Sequence, residues 1–433
     1  MKLSRFYNHI SSYQFFQVFR FGAMFLIGIL FTKSHLTISE IGNYETLMFI
    51  SGAVSFFWVS GLMNSMLALS KKEKDNPSFY FNAFLLMALF SVIIVLAMIG
   101  LRNQISAWLV QGRDIQYYNL LLIFILLNTP TFLIEHLLLL KKQSRKIITY
   151  AIFIFSMQII AVSAPIFLGY SIESSIMALI FIAIIKLFYL AYLIHRNSTI
   201  KIDIEQLKEH LILAAPLMIT ALFSGSADYI DGIIVSKNFS PATFAIFRYG
   251  ARELPFTLLM ANAMSVAMIP IIASTNLKES LTQIKEKSTR LMHLLFPITI
   301  VLLMSSKWLY PVVFNAQFID SATIFNVFLM LIISRLVFPQ TILIGLRKTR
   351  IIMIAAFIEI VINVVSSLIL LRYFGIIGVA MGTIVAYFSE KLILILYNYF
   401  FLKIKPADYF SIPILAIYSI LLISCYFLVQ YYL

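Results

Sequence analysis

The sequence predicts an all-α, polytopic membrane fold on three observations. Thirteen apolar stretches, each about a bilayer deep, fill nearly all of the 433 residues; only 12% of residues are charged; and Lys and Arg alternate between abundant and scarce in successive loops. A hydrocarbon core of ~30 Å needs ~20 helical residues, and backbone amides inside it must bond within the chain, so repeated apolar 20-mers imply a helical bundle. Hydrophobic residues make up 61%, against ~45–50% in an average soluble domain, so an aqueous fold could not hide this surface.

The stretches run over residues 14–33, 44–69, 79–100, 117–140, 147–169, 172–195, 211–235, 241–274, 289–310, 322–345, 351–371, 376–402 and 411–432. Residues 1–13 are polar and mildly basic, and the apolar run after them lacks a small-residue cleavage site, so the first span is expected to remain. One set of loops carries Lys2 and Arg5; Lys71, Lys72 and Lys74; Lys141, Lys142, Arg145 and Lys146; Arg196, Lys201 and Lys208; Lys278, Lys285, Lys287 and Arg290; Arg347, Lys348 and Arg350; and Lys403 and Lys405. The other set carries only Lys33, Arg102, Arg113, Lys237, Lys307 and Arg372. Under the positive-inside rule the amino terminus is expected to be cytoplasmic. The net charge of +14 is thereby assigned to orientation and anionic lipid, not to nucleic acid.

A weak internal repeat organises the chain. Phe31-Thr32-Lys33 ends the first span before ISEIGNY (38–44), and Val235-Ser236-Lys237 ends the seventh before PATFAIF (241–247). Basic loops follow the fourth and tenth spans at 141–146 and 347–350, and Pro130 and Pro339 break those same two spans. An offset of six helices preserves orientation, which predicts two parallel six-helix lobes. The expected organisation is a first lobe over 1–195, an amphipathic cytoplasmic linker over 196–210, a second lobe over 211–402, and an extra hydrophobic helix over 403–433 that spans the membrane or lies in its interface.

No catalytic constellation is present. The six histidines show no metal-ligand spacing, Cys425 is the only cysteine, and there is no Walker A or Gly-x-Ser-x-Gly motif, so no metal, cofactor or enzymatic activity is expected. What stands out is charge within spans, which needs a partner, a wet cavity or a function. Asp228 and Asp231 share one helical face, as do Arg248 and Arg252, with Glu253 beside them. That hairpin can set carboxylates opposite guanidiniums, either as a structural ion-pair network or as the lining of an anion site, since arginine holds phosphate bidentately at any cellular pH. Arg20 lies about two turns into the first span and Arg335 mid-span before Pro339. Lys186, Glu359, Glu390 and Lys391 are weaker candidates, and Glu135 with His136 follows Pro130 on a broken helix, where packing and proton coupling are both open.

Several segments carry a family resemblance. FTKSHLTISEIGNYETLMFISG (31–52) with Gly61-Leu62, Asp228-Tyr229-Ile230-Asp231, the aromatic stretch 241–249, Pro270, Gly345-Leu346-Arg347-Lys348-Thr349, Asn363 and FGIIGVAMG (374–382) resemble, in that order, polysaccharide biosynthesis flippases of the Wzx type. These belong to the MOP superfamily, with the MATE drug exporters and the lipid II flippases. The resemblance covers about residues 14–402 and implies a V-shaped pair of lobes working by alternating access. It implies movement of undecaprenyl-pyrophosphate-linked oligosaccharide across the bacterial plasma (inner) membrane, for O antigen or capsule. It also implies substrate contacts from Arg20, Arg248, Arg252 and Arg335. Asp228, Asp231 and Glu253 are candidates for coupling to H+ or Na+, and a polysaccharide polymerase is a candidate partner. A MATE-like cation-coupled multidrug exporter is the alternative, and the excess of arginine among in-span charges argues against it.

Overall fold

The computed structural model describes residues 9–432 except 71, 74, 75, 253, 254 and 275. It is helical throughout, with no strand among the described residues. Among the described residues, eleven helices are long and apolar enough to cross a membrane by length and composition. Two compact units account for the chain. The first is Met1–Tyr229 with Ser236–Ala245, and the second is Ile230–Val235 with Ile246–Leu433.

The first unit contains α1 (His9–Thr32), α2 (Ile38–Leu69), α3 (Phe79–Gly100), α4 (Arg102–Val110), α5 (Tyr118–Asn128), α6 (Leu133–Leu140), α7 (Ser144–Phe167), α8 (Ile172–Asn197) and α9 (Ile204–Gly225). Thr37 starts α2 with a reciprocal cap. Its Oγ1 accepts from the Glu40 amide at 3.3 Å, and its own amide donates to Glu40 Oε2 at 2.9 Å. Pro130 cannot continue α5, so a 3-10 turn over Thr129–Phe132 intervenes before α6, as the proline predicts. Trp58, Leu62, Met66, Met87, Leu133, Leu137 and Ile154 form the core between these helices, each at most 3% exposed. α2 packs along α9, and Gly61 permits the approach: a Cβ there would lie 2.8 Å from the Met218 amide nitrogen.

The sequence reading places a linker at 196–210, but α8 continues to Asn197 and α9 already begins at Ile204, where Asp203 accepts from the Gln206 amide at 3.1 Å. The remaining connection is pinned to the start of α3. Asn82 donates to the Lys201 carbonyl and accepts from the Asp203 amide, both at 3.1 Å, and the Thr199 amide donates to Pro77 at 2.7 Å. Exposed Lys72 and Glu209 pair at 2.6 Å across the same end, and that hydrogen bond raises the lysine pKa.

The expected spans 211–235 and 241–274 are not continuous helices. α9 stops at Gly225 and α10 (Ala227–Asn238) follows; α11 (Pro241–Gly250) stops before α12 (Pro255–Ser274), whose first residue is a proline that fits the first helical turn. The tip between α10 and α11 docks in the first unit. There Arg113 donates to the carbonyls of Ser236 at 3.2 Å and Phe239 at 2.6 Å, Ser236 Oγ donates to Leu109 O at 3.0 Å, and Gly42 lies against the Pro241 carbonyl.

The second unit continues with α13 (Leu277–Val313), α14 (Ile319–Leu329), α15 (Ile332–Arg335), α16 (Pro339–Gly345), α17 (Thr349–Phe400), α18 (Pro406–Tyr409) and α19 (Ile412–Tyr432). α13 runs 37 residues, because the charged segment read as a loop before residue 289 extends it as a polar helical stalk. The break predicted at Pro339 is present, with α16 beginning at that proline. The two spans expected at 351–371 and 376–402 are the two helices of α17, which meet at a sharp kink at Gly375 and fold back so that Gly382 lies against Ser367. The Gly375 φ of 58° and ψ of −138° are open to glycine and strained for other residues. The thirteenth apolar segment is α19, of span length. It packs on α13, where Tyr418 stacks on Phe296 at 5.0 Å and its hydroxyl meets His293 Nδ1 at 2.9 Å.

Gly61→Leu is expected to drive a side chain into the α9 backbone and to cost about 1–3 kcal/mol. A lowered thermal unfolding midpoint of the purified protein, with Gly22→Leu unchanged because nothing lies within 4 Å of a Cβ at that position, checks this.

Candidate functional site

Within the first unit a part-open cavity of ≈ 180 Å³ is lined by α1, α2, α5, α6, α7 and α8. Its charged lining is Arg20 from α1, Glu135 from α6 and Lys186 from α8, so two cations face one carboxylate. Ser51, Ser55, Asn128, Thr129 and Gln158 supply polar wall, and Phe16, Phe132 and Tyr150 supply aromatic wall. Local sequence explains how these groups meet. Gln17 and Arg20 are three apart on α1 and share a face. The 3-10 turn at Pro130 re-aims the chain so that Glu135 falls in the first turn of α6, where the helix dipole favours an anion. Asn128 closes α5 just before that turn.

Arg20 Nη1 donates to Glu135 Oε1 at 3.2 Å, Gln17 Nε2 donates to the same oxygen at 3.3 Å, and Arg20 Nη2 donates to Gln17 Oε1. The carboxylate is the hidden partner: its side chain is 5% exposed against 31% for the arginine. The guanidinium lies 5.7 Å from the Phe16 ring centroid and 5.4 Å from that of Phe132, which restrict where it can swing. Lys186 Nζ donates to the neutral Asn128 Oδ1 at 2.9 Å, and it shares the Glu135 carboxylate with Arg20 as its counter-charge within electrostatic range. His136 turns the other way, its Nδ1 2.9 Å from the Phe132 carbonyl in its own helix and its ring edge-on to Tyr13.

The other predicted residues lie in the second unit. Arg335 ends the short α15, and its guanidinium sits 4.5 Å from the Tyr387 ring centroid. Lys391 is 3.6 Å from Glu390 and within electrostatic range of Arg335 and Glu359, so this cluster pairs two cations with two carboxylates. Asp231 is buried on α10 and accepts a hydrogen bond from Thr383 of α17. Close by on α17, Ser367 donates to Asn363 Oδ1 at 3.1 Å and approaches the Val379 carbonyl at 3.2 Å. Arg252 follows the end of α11; its Nε donates to the Arg248 carbonyl at 3.1 Å and its guanidinium lies 5.2 Å from the Tyr249 ring centroid. Glu253 and the side chain of Asp228 fall outside the described residues, so the expected array of carboxylates opposite guanidiniums is represented by Asp231, Arg248 and Arg252 alone.

The structure therefore joins Arg20 to Glu135, for which the sequence left packing and proton coupling open, and to Lys186, noted as a weaker candidate, together with Gln17 and Asn128, which it passed over. Two signals were available: a glutamine one turn before an in-span arginine, and an amide two residues before a helix-breaking proline.

With that geometry in place, the relatives are informative. The family model described as polysaccharide biosynthesis protein matches residues 35–323. The chain belongs to that family. Comparison of the sequence with curated proteins gives no match. Among solved structures, this polysaccharide biosynthesis protein is similar in fold to the lipid II flippase MurJ in an inward closed conformation, at 17% identity and a TM-score of 0.69 over 96% of this chain and 92% of that one. It is also similar to a multidrug resistance MATE family transporter of the MOP superfamily, inward-facing, at 13% identity and 0.63 over 87% and 93%. A third is a MOP superfamily transporter from Pyrococcus furiosus, at 14% and 0.53 over 89% and 93%. The chain thus shares its fold with these transporters.

Removing Arg20 strands Glu135 in a poorly hydrated wall. Arg20→Ala is expected to lose about 1–3 kcal/mol, read as a lowered unfolding midpoint, and Glu135→Gln in the same chain is expected to restore part of it because no buried carboxylate is then left without its arginine.

Proposed function

We propose that this protein moves a lipid-linked oligosaccharide, attached through pyrophosphate to undecaprenol, from the inner to the outer leaflet of the bacterial plasma membrane by alternating access. The observation that carries the reading is the cavity in which Arg20 and Lys186 face the single carboxylate of Glu135. A diphosphate and its sugars cannot cross hydrocarbon unaided; a polar, cationic chamber lowers that barrier, while the polyprenyl chain stays in lipid. Ser51, Ser55, Asn128 and Gln158 offer hydroxyl and amide partners for sugar, and the flanking aromatics offer apolar faces. Membership of the polysaccharide biosynthesis family supports a glycan cargo, and the likeness to MurJ, named a lipid II flippase, supports a lipid-linked one.

Arg248, Arg252 and Arg335 are further candidates for holding the cargo during its passage. Asp231, buried and held by Thr383, is the first candidate for coupling to H+ or Na+, with Asp228 three residues before it and Glu253 next to Arg252 as the others. The amino terminus is assigned to the cytoplasm on the distribution of Lys and Arg. The product would serve O antigen or capsule assembly, where a polymerase is the natural partner. A MATE-like exporter of cationic drugs is the second reading, and two cations over one anion in the cavity oppose it, because a like-charged cargo would be repelled.

In a bacterium whose own flippase gene is deleted and replaced by this one, Arg20→Ala and Lys186→Ala are each expected to cut surface glycan display about tenfold or more while the protein stays in the membrane. Efflux of a cationic dye is expected to be unchanged. Normal display by both variants overturns the reading, and loss of dye efflux alone transfers it to the exporter.

A further inference from the structure

Resting on the anionic-cargo reading, we infer that Glu135 is a resident counter-ion, one that occupies Arg20 in the empty cavity and is displaced from it when the diphosphate enters. The contact has the character of a placeholder. It is a single-point contact at 3.2 Å through one carboxylate oxygen, whereas strong charge-assisted N–H···O bonds run at about 2.7–2.9 Å and arginine–carboxylate pairs are frequently two-pronged. That same oxygen is shared with Gln17, so the carboxylate does not grip the guanidinium fork. Arg20 commits one N–H to Glu135 and one to Gln17, of the five a guanidinium carries. Its side chain is 31% exposed in front of a carboxylate that is 5% exposed, so an entering anion meets the arginine first.

The surrounding charges set the direction of exchange. Glu135 is faced by Arg20, Gln17 and Tyr13 on α1, by Lys186 on α8 and by Tyr150 on α7, with His136 next to it in sequence. Lys186 donates its hydrogen bond to the neutral amide of Asn128 and makes no ion-pair contact with Glu135, so it can help draw a phosphate toward Arg20. A diphosphate offers more charge and more acceptor oxygens than one carboxylate and can take both donors at once. When the cargo leaves, Glu135 closes back onto Arg20 and competes with rebinding. The residue thus sets affinity low enough for release, which distinguishes it from a packing contact.

The test uses inorganic pyrophosphate as probe, titrated calorimetrically into the purified full-length protein in detergent. Glu135→Gln is expected to bind about tenfold more tightly than the natural protein, and Arg20→Ala/Glu135→Gln to bind no more tightly than Arg20→Ala, because the gain passes through the guanidinium. In the display assay Glu135→Gln is expected to lower turnover several-fold despite its tighter binding. Equal or weaker pyrophosphate binding by Glu135→Gln, a gain that survives removal of Arg20, or no measurable binding to any variant overturns the inference. Should Glu135→Gln be lost from the membrane fraction, Glu135→Asp, whose shorter side chain reaches Arg20 less well, is expected to show a gain of a few-fold, and its absence overturns the inference equally. Failure of the cargo reading looks different: the pyrophosphate cycle holds while surface glycan is unaffected by Arg20→Ala.

Discussion

Irregular backbone inside an apolar bundle must find its hydrogen bonds within the protein, and this constraint determines where the polar chemistry sits. The break at Pro130 is closed by neighbouring groups: Thr129 donates to Ile125 O at 2.7 Å and meets Ser91, Thr131 donates to Asn128 O at 2.6 Å, and His136 Nδ1 meets Phe132 O at 2.9 Å. The break before Pro339 is closed by Ser288, which donates to Leu336 O at 2.7 Å, and by Asn398, which donates to Pro339 O at 3.3 Å. Each kink thus recruits buried hydroxyls and amides from adjacent helices. Glu135 and Arg335, the charges that stand nearest to these kinks, sit in sites already rich in polar atoms.

The two units spend their charges differently. In the first, Arg20 and Glu135 pair and Lys186 is left to a neutral amide, so the cavity retains a positive field in a medium of low dielectric. In the second, Arg335 and Lys391 stand among Glu359 and Glu390, close to balance. An unbalanced cavity carries a net positive field; a cluster close to balance carries little.

Much of the fold was legible because the signals were long and redundant: span-length apolar runs, alternate basic loops, and prolines at matched positions. The interruptions were less so. Within 211–235 the helix end at Gly225 is signalled only by a short Ser224-Gly225-Ser226 cluster inside an apolar run, and the run through 241–274 hid a break that Gly250 and Pro255 mark only locally. Conversely, the charged residues before 289 read as a loop although they continue α13, since amphipathic polar helix and solvated loop share a composition. The site was legible in its residue types but not in its partnerships. Arg20, Glu135 and Lys186 each stood out as charge in hydrocarbon, yet 115 residues separate the first two, and their meeting depends on how α1 and α6 pack.

The α10–α11 tip has a consequence for biosynthesis. Residues 236–245 complete the first unit, while the segments on both sides of them, 230–235 and 246 onward, belong to the second. Translation must therefore proceed past the first eight helices, through α9 and on to residue 245, before the earlier half can close its packing around the Arg113 carbonyl cage. A ribosome that stalled in the short connection after α8 would leave α2 without α9 and Arg113 without its carbonyls, and such a fragment would present the insertion machinery with unfinished helix seams instead of a free-standing half-transporter.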